Sequence, residues 1–274
     1  MSEIQVRNSR AGWDGPIRSL NISAPGAGKT SLMLSYPSVF VFDFDKTLHL
    51  GIPKHIRERA DVDFRFVQPD SWQDVWVWTM RLLKGEPVEL PDGTKFQPKT
   101  IGVDTIGECY YEFISQVSRS MKVQAMMGKD GKPLTVLDTR VQTIKGDDRR
   151  AVMTMADFGF SSDRLVEWIN ALKMFPGHLV VNAHEQLRDA IEGSVKPPKG
   201  TVMLPGGLRE ILPGKFDLYT RLTRSGTNPP QMQTAPDDLW PCKDRTGTLD
   251  PMEDADFAKF KKKLYPAGNP WAEF

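Results

Sequence analysis

Eight consecutive residues near the amino end, Ser23-Ala24-Pro25-Gly26-Ala27-Gly28-Lys29-Thr30, followed by Ser31, have the spacing of a loop that wraps phosphate. Glycines at 26 and 28 permit a tight turn whose backbone N–H groups point inward. A helix beginning at Lys29 adds its positive amino-terminal end, Lys29 reaches β and γ phosphates, and the Thr30 hydroxyl is a ligand for Mg²⁺. Ser23 to Ser31 are therefore the expected nucleotide-binding residues, with ATP and Mg²⁺ as cofactors. The sequence departs from G-x-x-x-x-G-K-[ST] at its first position, where Ser23 stands for glycine and threatens to restrict the first turn. Mg²⁺ takes oxygen ligands and keeps several waters, so a carboxylate at a neighbouring strand end is expected beside Thr30. Asp104, after Ile101-Gly102-Val103, is the choice; its competing role is to cap the helix that starts at Ile106. Hydrolysis also needs a group to orient or deprotonate water. Asp45, with Asp43 in reserve, stands at the end of the strand after the loop's helix, and the competing role is an ordinary loop carboxylate.

The elements that must carry these residues follow from the apolar pattern. Leu20 and Ile22 mark a strand before the glycine loop, and Leu32, Met33 and Leu34 a helix after it. Val39 to Phe42 and Thr100 to Asp104 are short continuous apolar runs ending in carboxylates, as in buried parallel strands. Ser71 caps a helix with Trp72, Val75, Trp76, Thr79, Leu82 and Leu83 on one face, so its tryptophans belong to the core. Val88 to Phe96, with Pro91-Asp92-Gly93 inside, predicts a hairpin, and a helix is predicted over 106–121. Residues 122 to 160 predict a long excursion that includes a small hairpin. A helix from Ser161 or Ser162 ends at Gly177, and His178 to Ala183 is a strand ending in His184 and Glu185. Gln186 to Lys215 has four prolines, five glycines and little apolar periodicity, and predicts a loop. A hairpin from Phe216 to Thr223 and Gln231 to Thr234 follows, then a helix over 254–264.

Composition narrows the class. The chain has 274 residues, 39% hydrophobic and 26% charged, so a disordered, collagen-like or membrane-spanning chain is excluded. Thirty-six basic and 35 acidic residues leave a net charge of +1, so any nucleic-acid surface must be local. Cys109 and Cys242 have no partner at metal-ligand spacing, which points to a reducing cytosol. No export signal is read in Met1 to Arg10. The Lys259, Lys261, Lys262 and Lys263 cluster is read as a solvated helix face.

The order of the phosphate loop, Val41-Phe42-Asp43-Phe44-Asp45, Ile101-Gly102-Val103-Asp104-Thr105, Val180-Val181-Asn182-Ala183-His184-Glu185 and Lys243-Asp244-Arg245 resembles the RecA-like ATPases. It is most similar to phage-encoded proteins of single-strand annealing and recombination, over roughly residues 16 to 250. The resemblance implies that Asp104 is the Walker B aspartate and that Asp45 takes the place of the family's catalytic glutamate. It implies that His184 senses the γ-phosphate and that Lys243 and Arg245 reach the nucleotide of a neighbouring subunit. Two DNA loops are implied. One falls in the stretch from Arg119 to Arg150, where eight basic residues face four acidic ones, with Arg140, Lys145, Arg149 and Arg150 as the expected contacts. The other is Gln186 to Lys215, with Arg188, Lys196, Lys199 and Arg209.

The expectation is an α/β, RecA-like P-loop core with a mostly parallel central sheet flanked by helices, over residues 1–250, and a C-terminal helix and tail over 251–274. The expected function is ATP- and Mg²⁺-dependent binding of single-stranded DNA in phage recombination, annealing or replication. The expected partners are single-stranded DNA, further copies in a ring or filament, and a single-stranded DNA-binding protein. No membrane is involved, and the expected location is the cytoplasm, the host's if the chain is phage-encoded. A P-loop kinase of small molecules or nucleotides, and a nucleotide-gated binding module with little hydrolysis, are the alternatives.

Overall fold

The computed structural model describes residues 13–50, 52, 54–120, 141–143, 149–151, 155–188, 199–266, 269 and 271. The chain runs β1 (Arg18–Ser23), α1 (Lys29–Leu34), β2 (Val39–Asp43), α2 (Lys54–Arg57), β3 (Phe64–Val67) and α3 (Trp72–Leu83). Then come β4 (Val88–Glu89), β5 (Lys95–Phe96), β6 (Thr100–Asp104), α4 (Ile106–Ser120), β7 (Val141–Thr143), β8 (Arg149–Ala151) and α5 (Met155–Leu172). The rest is β9 (His178–Arg188), β10 (Lys199–Val202), α6 (Leu208–Ile211), a 3-10 turn (Leu212–Lys215), β11 (Leu218–Thr223), β12 (Gln231–Gln233), β13 (Lys243–Asp244), β14 (Met252–Asp254) and α7 (Phe257–Leu264).

One large sheet has the order β14-β12-β11-β1-β9-β6-β2-β3, with β10 added to β9 and β13 to β11. From β11 to β3 every neighbouring pair is parallel, so the carboxyl ends of β1, β2, β6 and β9 open on one edge of the sheet. β9 lies between the strand that leads into the phosphate loop and the strand that ends in Asp104. Strand side chains alternate between two cores. Leu20, Ile22, Phe40, Phe42, Ile101, Val103, Leu179 and Val181 pack with α3, α4 and α5 through Val75, Leu82, Tyr110, Leu165 and Trp168. Val39, Val41, Val180 and Leu218 face α1 and α7, through Leu32, Met33, Phe257 and Phe260. Tyr36 stacks on Phe257 with ring centroids 4.0 Å apart, so α7 covers the α1 face of the sheet.

The elements around the phosphate loop, the α3 helix with its Ser71 cap, the β4–β5 hairpin and the β11–β12 hairpin form where the sequence places them. Trp72 and Trp76 pack against the first core, as their spacing predicts. A small hairpin, β7–β8, falls within the predicted excursion.

Three expectations need correction. α5 begins at Met155 rather than at Ser161 or Ser162, because Gly159 lies exposed in open space and a helix continues through a glycine at a cost of roughly 1 kcal/mol. The segment from Gln186 to Lys215 is not a loop at its ends. β9 runs on to Arg188 and pairs antiparallel with β10, and a helical turn with a 3-10 turn occupies 208–215. The end of β9 leaves the core there while β10 stays largely buried through Thr201 and Val202, so backbone pairing, without an apolar period in β9, joins the two. Finally, β3, β13 and β14 are short additions to the sheet too brief to show a period, and α7 starts at Phe257 behind an Asp256 cap because β14 occupies residues 252–254.

Candidate nucleotide site

The phosphate loop leaves β1 at Ser23 and enters α1 at Lys29. Its two glycines have left-handed backbones, φ +77° at Gly26 and +103° at Gly28. Gly28 is doubly constrained, because a Cβ there would lie 2.5 Å from the Pro230 side chain. Ser23, by contrast, is the last residue of β1 and pairs in register with His184, so the first motif position has no need of glycine. Its hydroxyl has a use. Lys29 Nζ donates to Ser23 Oγ at 2.9 Å and to the Ser23 and Ala24 carbonyls at 3.3 Å, folding the buried lysine back under its own loop. Burial lowers the Lys29 pKa, and Asp104, Asp45 and Glu185 oppose that. Ala24, Pro25 and Gly26 are exposed at the rim, Ala27 is buried, and Thr30 and Ser31 sit half-buried in the first turn of α1.

Asp104 closes the site from β6. Thr30 Oγ1 donates to Asp104 Oδ2 at 2.7 Å, so residues 74 positions apart present two hard oxygens side by side, a set that fits Mg²⁺ with its retained waters. On its other oxygen Asp104 accepts from Asn182 Nδ2 at 3.2 Å. Burial pushes the Asp104 carboxyl up to about 6, opposed by the Thr30 hydrogen bond. The helix-capping alternative has no support among the described residues: the Asp104 carboxylate accepts from Thr30 and Asn182, and the helix amide Cys109 N donates to the Thr105 carbonyl.

The two candidate water-positioning residues have different environments. Asp45 Oδ1 accepts from the Thr105 backbone N–H and hydroxyl, both at 2.9 Å, while Asp45 N and Phe44 N donate to the Asp104 carbonyl. Asp45 is thereby tied to the Asp104–Thr105 segment and stays half-buried near Lys29. Asp43 is fully buried and accepts from Thr47 N, Leu48 N and Gln68 Nε2, which consumes it as a turn anchor.

His184 reaches the same edge from β9. Its Nδ1 is buried with no hydrogen-bond partner among the described residues, and burial, then Lys29, lowers its pKa against the opposing pull of Asp45 and Glu108, which favours the neutral imidazole. Beside it, Glu185 holds Arg221 through contacts of 2.7 and 3.3 Å, and the Arg221 guanidinium lies 4.2 Å from the Trp240 ring centroid. Glu185 and Arg221, with Arg224 and the rim of the phosphate loop, line a cleft of about 540 Å³. Sequence reasoning missed Asn182, Thr105, Glu185, Arg221 and Arg224. Asn182 and Glu185 flank the singled-out His184, and an asparagine inside the apolar run Leu179 to Ala183 was the available signal.

Of the expected nucleic-acid contacts, Arg140, Lys145 and Lys196 lie outside the described residues, and Arg149 and Arg150 are described only as backbone in β8. Lys199 and Arg188 are direct cross-strand partners. Arg188 also pairs with Glu210 at 3.1 Å, and Arg209 donates to the Gly206 carbonyl. Arg188, Lys199 and Arg209 line a second cleft, of about 260 Å³, together with Lys243. Lys243 pairs with Tyr219, and Arg245 N donates to the Asp217 carbonyl, both at the start of β11. The phosphate loop follows the opposite, carboxyl end of β1, so neither residue meets the nucleotide site of its own chain.

No curated protein matches the chain. Among the described residues no helix is long and apolar enough to cross a membrane. A family model described as an AAA domain matches residues 16–246, a span that holds the phosphate loop, Asp45, Asp104 and His184. Sheet order, glycine loop, and the Thr30–Asp104 pair agree with that match, and the chain belongs to the AAA domain family of P-loop, nucleotide-binding ATPases.

Proposed function

We propose that the protein is a RecA-like ATPase that binds single-stranded DNA under the control of ATP and Mg²⁺, in phage recombination, annealing or replication. One observation carries the reading. β9 runs unbroken from His184, beside the phosphate loop, to Arg188, which faces Lys199 on the hairpin, so one rigid strand joins a γ-phosphate sensor to a basic surface. Glu210 offsets Arg188 there, and Lys199 and Arg209 add further basic groups for a polyanion to engage.

In this reading the loop and Lys29 hold the phosphates, and Thr30 and Asp104 hold Mg²⁺, which neutralises charge on the transferring phosphoryl group. Asp45, oriented by Thr105, positions the attacking water. Neutral His184 donates to the γ-phosphate or accepts from the water beside it. Lys243 and Arg245 act on the nucleotide of a neighbouring copy in a ring or filament, and a single-stranded DNA-binding protein is a further partner.

The test is ATP hydrolysis with and without single-stranded DNA, for the wild type, Lys29→Ala and the double variant Arg188→Glu/Lys199→Glu. DNA stimulates the wild type, Lys29→Ala has no activity in either condition, and the double variant loses the stimulation. Hydrolysis indifferent to DNA, with phosphate transferred to a small acceptor, would replace this reading with a kinase. A second reading, the nucleotide-gated module, is favoured by the two hydrogen bonds that already engage Asp45 Oδ1. Its mark is tight ATP binding with negligible turnover on DNA.

A further inference from the structure

Four side chains on four adjacent parallel strands form one buried polar row on the α1 side of the sheet. Thr220 on β11, Asn21 on β1 and Asn182 on β9 are in lateral register, and Asp104 on β6 is the next member. Thr220, Asn21 and Asn182 are wholly buried and Asp104 is 3% exposed. Thr220 Oγ1 donates to Asn21 Oδ1 at 2.8 Å, Asn21 Nδ2 to Asn182 Oδ1 at 3.4 Å, and Asn182 Nδ2 to Asp104 Oδ1 at 3.2 Å. Thr30 closes the row on the remaining oxygen, Asp104 Oδ2.

The carboxylate dictates the direction of the whole row. An ionised carboxylate only accepts, so Asn182 must turn its NH₂ to Asp104 and its oxygen to Asn21. Asn21 must then present its own NH₂ to Asn182 and its oxygen to β11, where only a donor satisfies it, and Thr220 is that donor. Each donor polarises the next, and every proton points toward Asp104. Four polar residues in the middle of a parallel sheet are costly unless fully paired, and apolar residues would pack there without that cost.

We infer that Asn182 is a positioning residue for the Mg²⁺ site, and that Asn21 and Thr220 lock its amide in the productive orientation. By engaging Oδ1, Asn182 fixes the carboxylate plane and leaves Oδ2 turned to Thr30, where the metal is expected. The row also ties Asp104 to β11, which carries Arg221 and leads into Arg224 at the wall of the larger cleft. The inference rests on Thr30 and Asp104 as the Mg²⁺ pair and is independent of any DNA role.

The test is binding of a fluorescent ATP analogue, methylanthraniloyl-ATP, titrated with Mg²⁺ and repeated in EDTA, with thermal melting of each variant. Asn182→Leu, similar in volume but without a donor, raises the half-saturating Mg²⁺ concentration about tenfold or more, while affinity in EDTA changes by less than about twofold. Thr220→Val, two residues removed from the carboxylate, shifts the Mg²⁺ midpoint in the same direction by about two- to fivefold. A folded Asn182→Leu whose Mg²⁺ midpoint does not move overturns the inference, as does an equal loss of affinity with and without Mg²⁺, the mark of a merely structural role. Should Asn182→Leu not fold, Thr220→Val decides by the same criterion. Asp104→Ala separates the two levels: an unmoved Mg²⁺ midpoint in that variant refutes the metal pair itself.

Discussion

β2 and β6 are neighbours with nearly the same sequence logic, a buried apolar run that ends in aspartate at the carboxyl edge of the sheet. Their ends differ in what each carboxylate has left to give. Asp43 spends both oxygens on the Thr47 and Leu48 amides and on Gln68, so it builds the turn after β2. Asp104 is engaged on one side by Asn182 and on the other by the Thr30 hydroxyl at the start of α1, so its charge faces the phosphate loop. Asp45, two residues beyond Asp43, is intermediate: Oδ1 is held by Thr105, and the group remains half-buried at the rim. A carboxylate at a strand end is therefore a site residue only when backbone amides have not already consumed it.

Substitutions at the three aspartates sharpen or break that comparison. Asp104→Ala gives the largest effect, a loss of Mg²⁺-dependent ATP turnover of about 10²- to 10³-fold, read in steady-state hydrolysis; residual activity within tenfold of wild type would remove Asp104 from the site. Next is Asp45→Asn, which lowers turnover about 10²-fold while ATP affinity by fluorescence stays within about twofold, as for a group that acts on water rather than on the nucleotide. Thr105→Val lowers it in the same direction by about tenfold, because Asp45 loses a hydrogen bond that orients it. Equal turnover in Asp45→Asn and wild type would move the water-positioning role elsewhere. The smallest effect on turnover is that of Asp43→Asn, which leaves hydrolysis near wild type but costs about 1–3 kcal/mol in denaturant unfolding, since an amide NH₂ would face backbone donors. A large loss of turnover without loss of stability would reverse the ranking of the two strands.

The sequence determined a good deal. The loop from Ser23 to Thr30 carries its conformation in its own glycines, and α3 and β2 show their burial in local periodicity, so each was legible without the rest of the chain. Asp104 was legible because one strand end in a P-loop protein must supply a carboxylate. The use of Ser23 was not, since its partner Lys29 reaches back only once the loop has folded. The extension of β9 to Arg188 and its pairing with β10 were hidden because the exposed end of β9 is held by backbone hydrogen bonds, which no side-chain pattern reports. Tertiary structure alone decided which of the strand-end aspartates faces the phosphate loop, that Lys243 shares a cleft with Arg188, Lys199 and Arg209, and that Asn182, a polar residue in an apolar strand, stands next to Asp104. The physical reason is one of range: turns, caps and amphipathic faces are set by neighbours a few residues away. The chemistry of a carboxylate in a parallel sheet is set by the lateral row it joins, whose members here are separated by up to 199 positions in the chain.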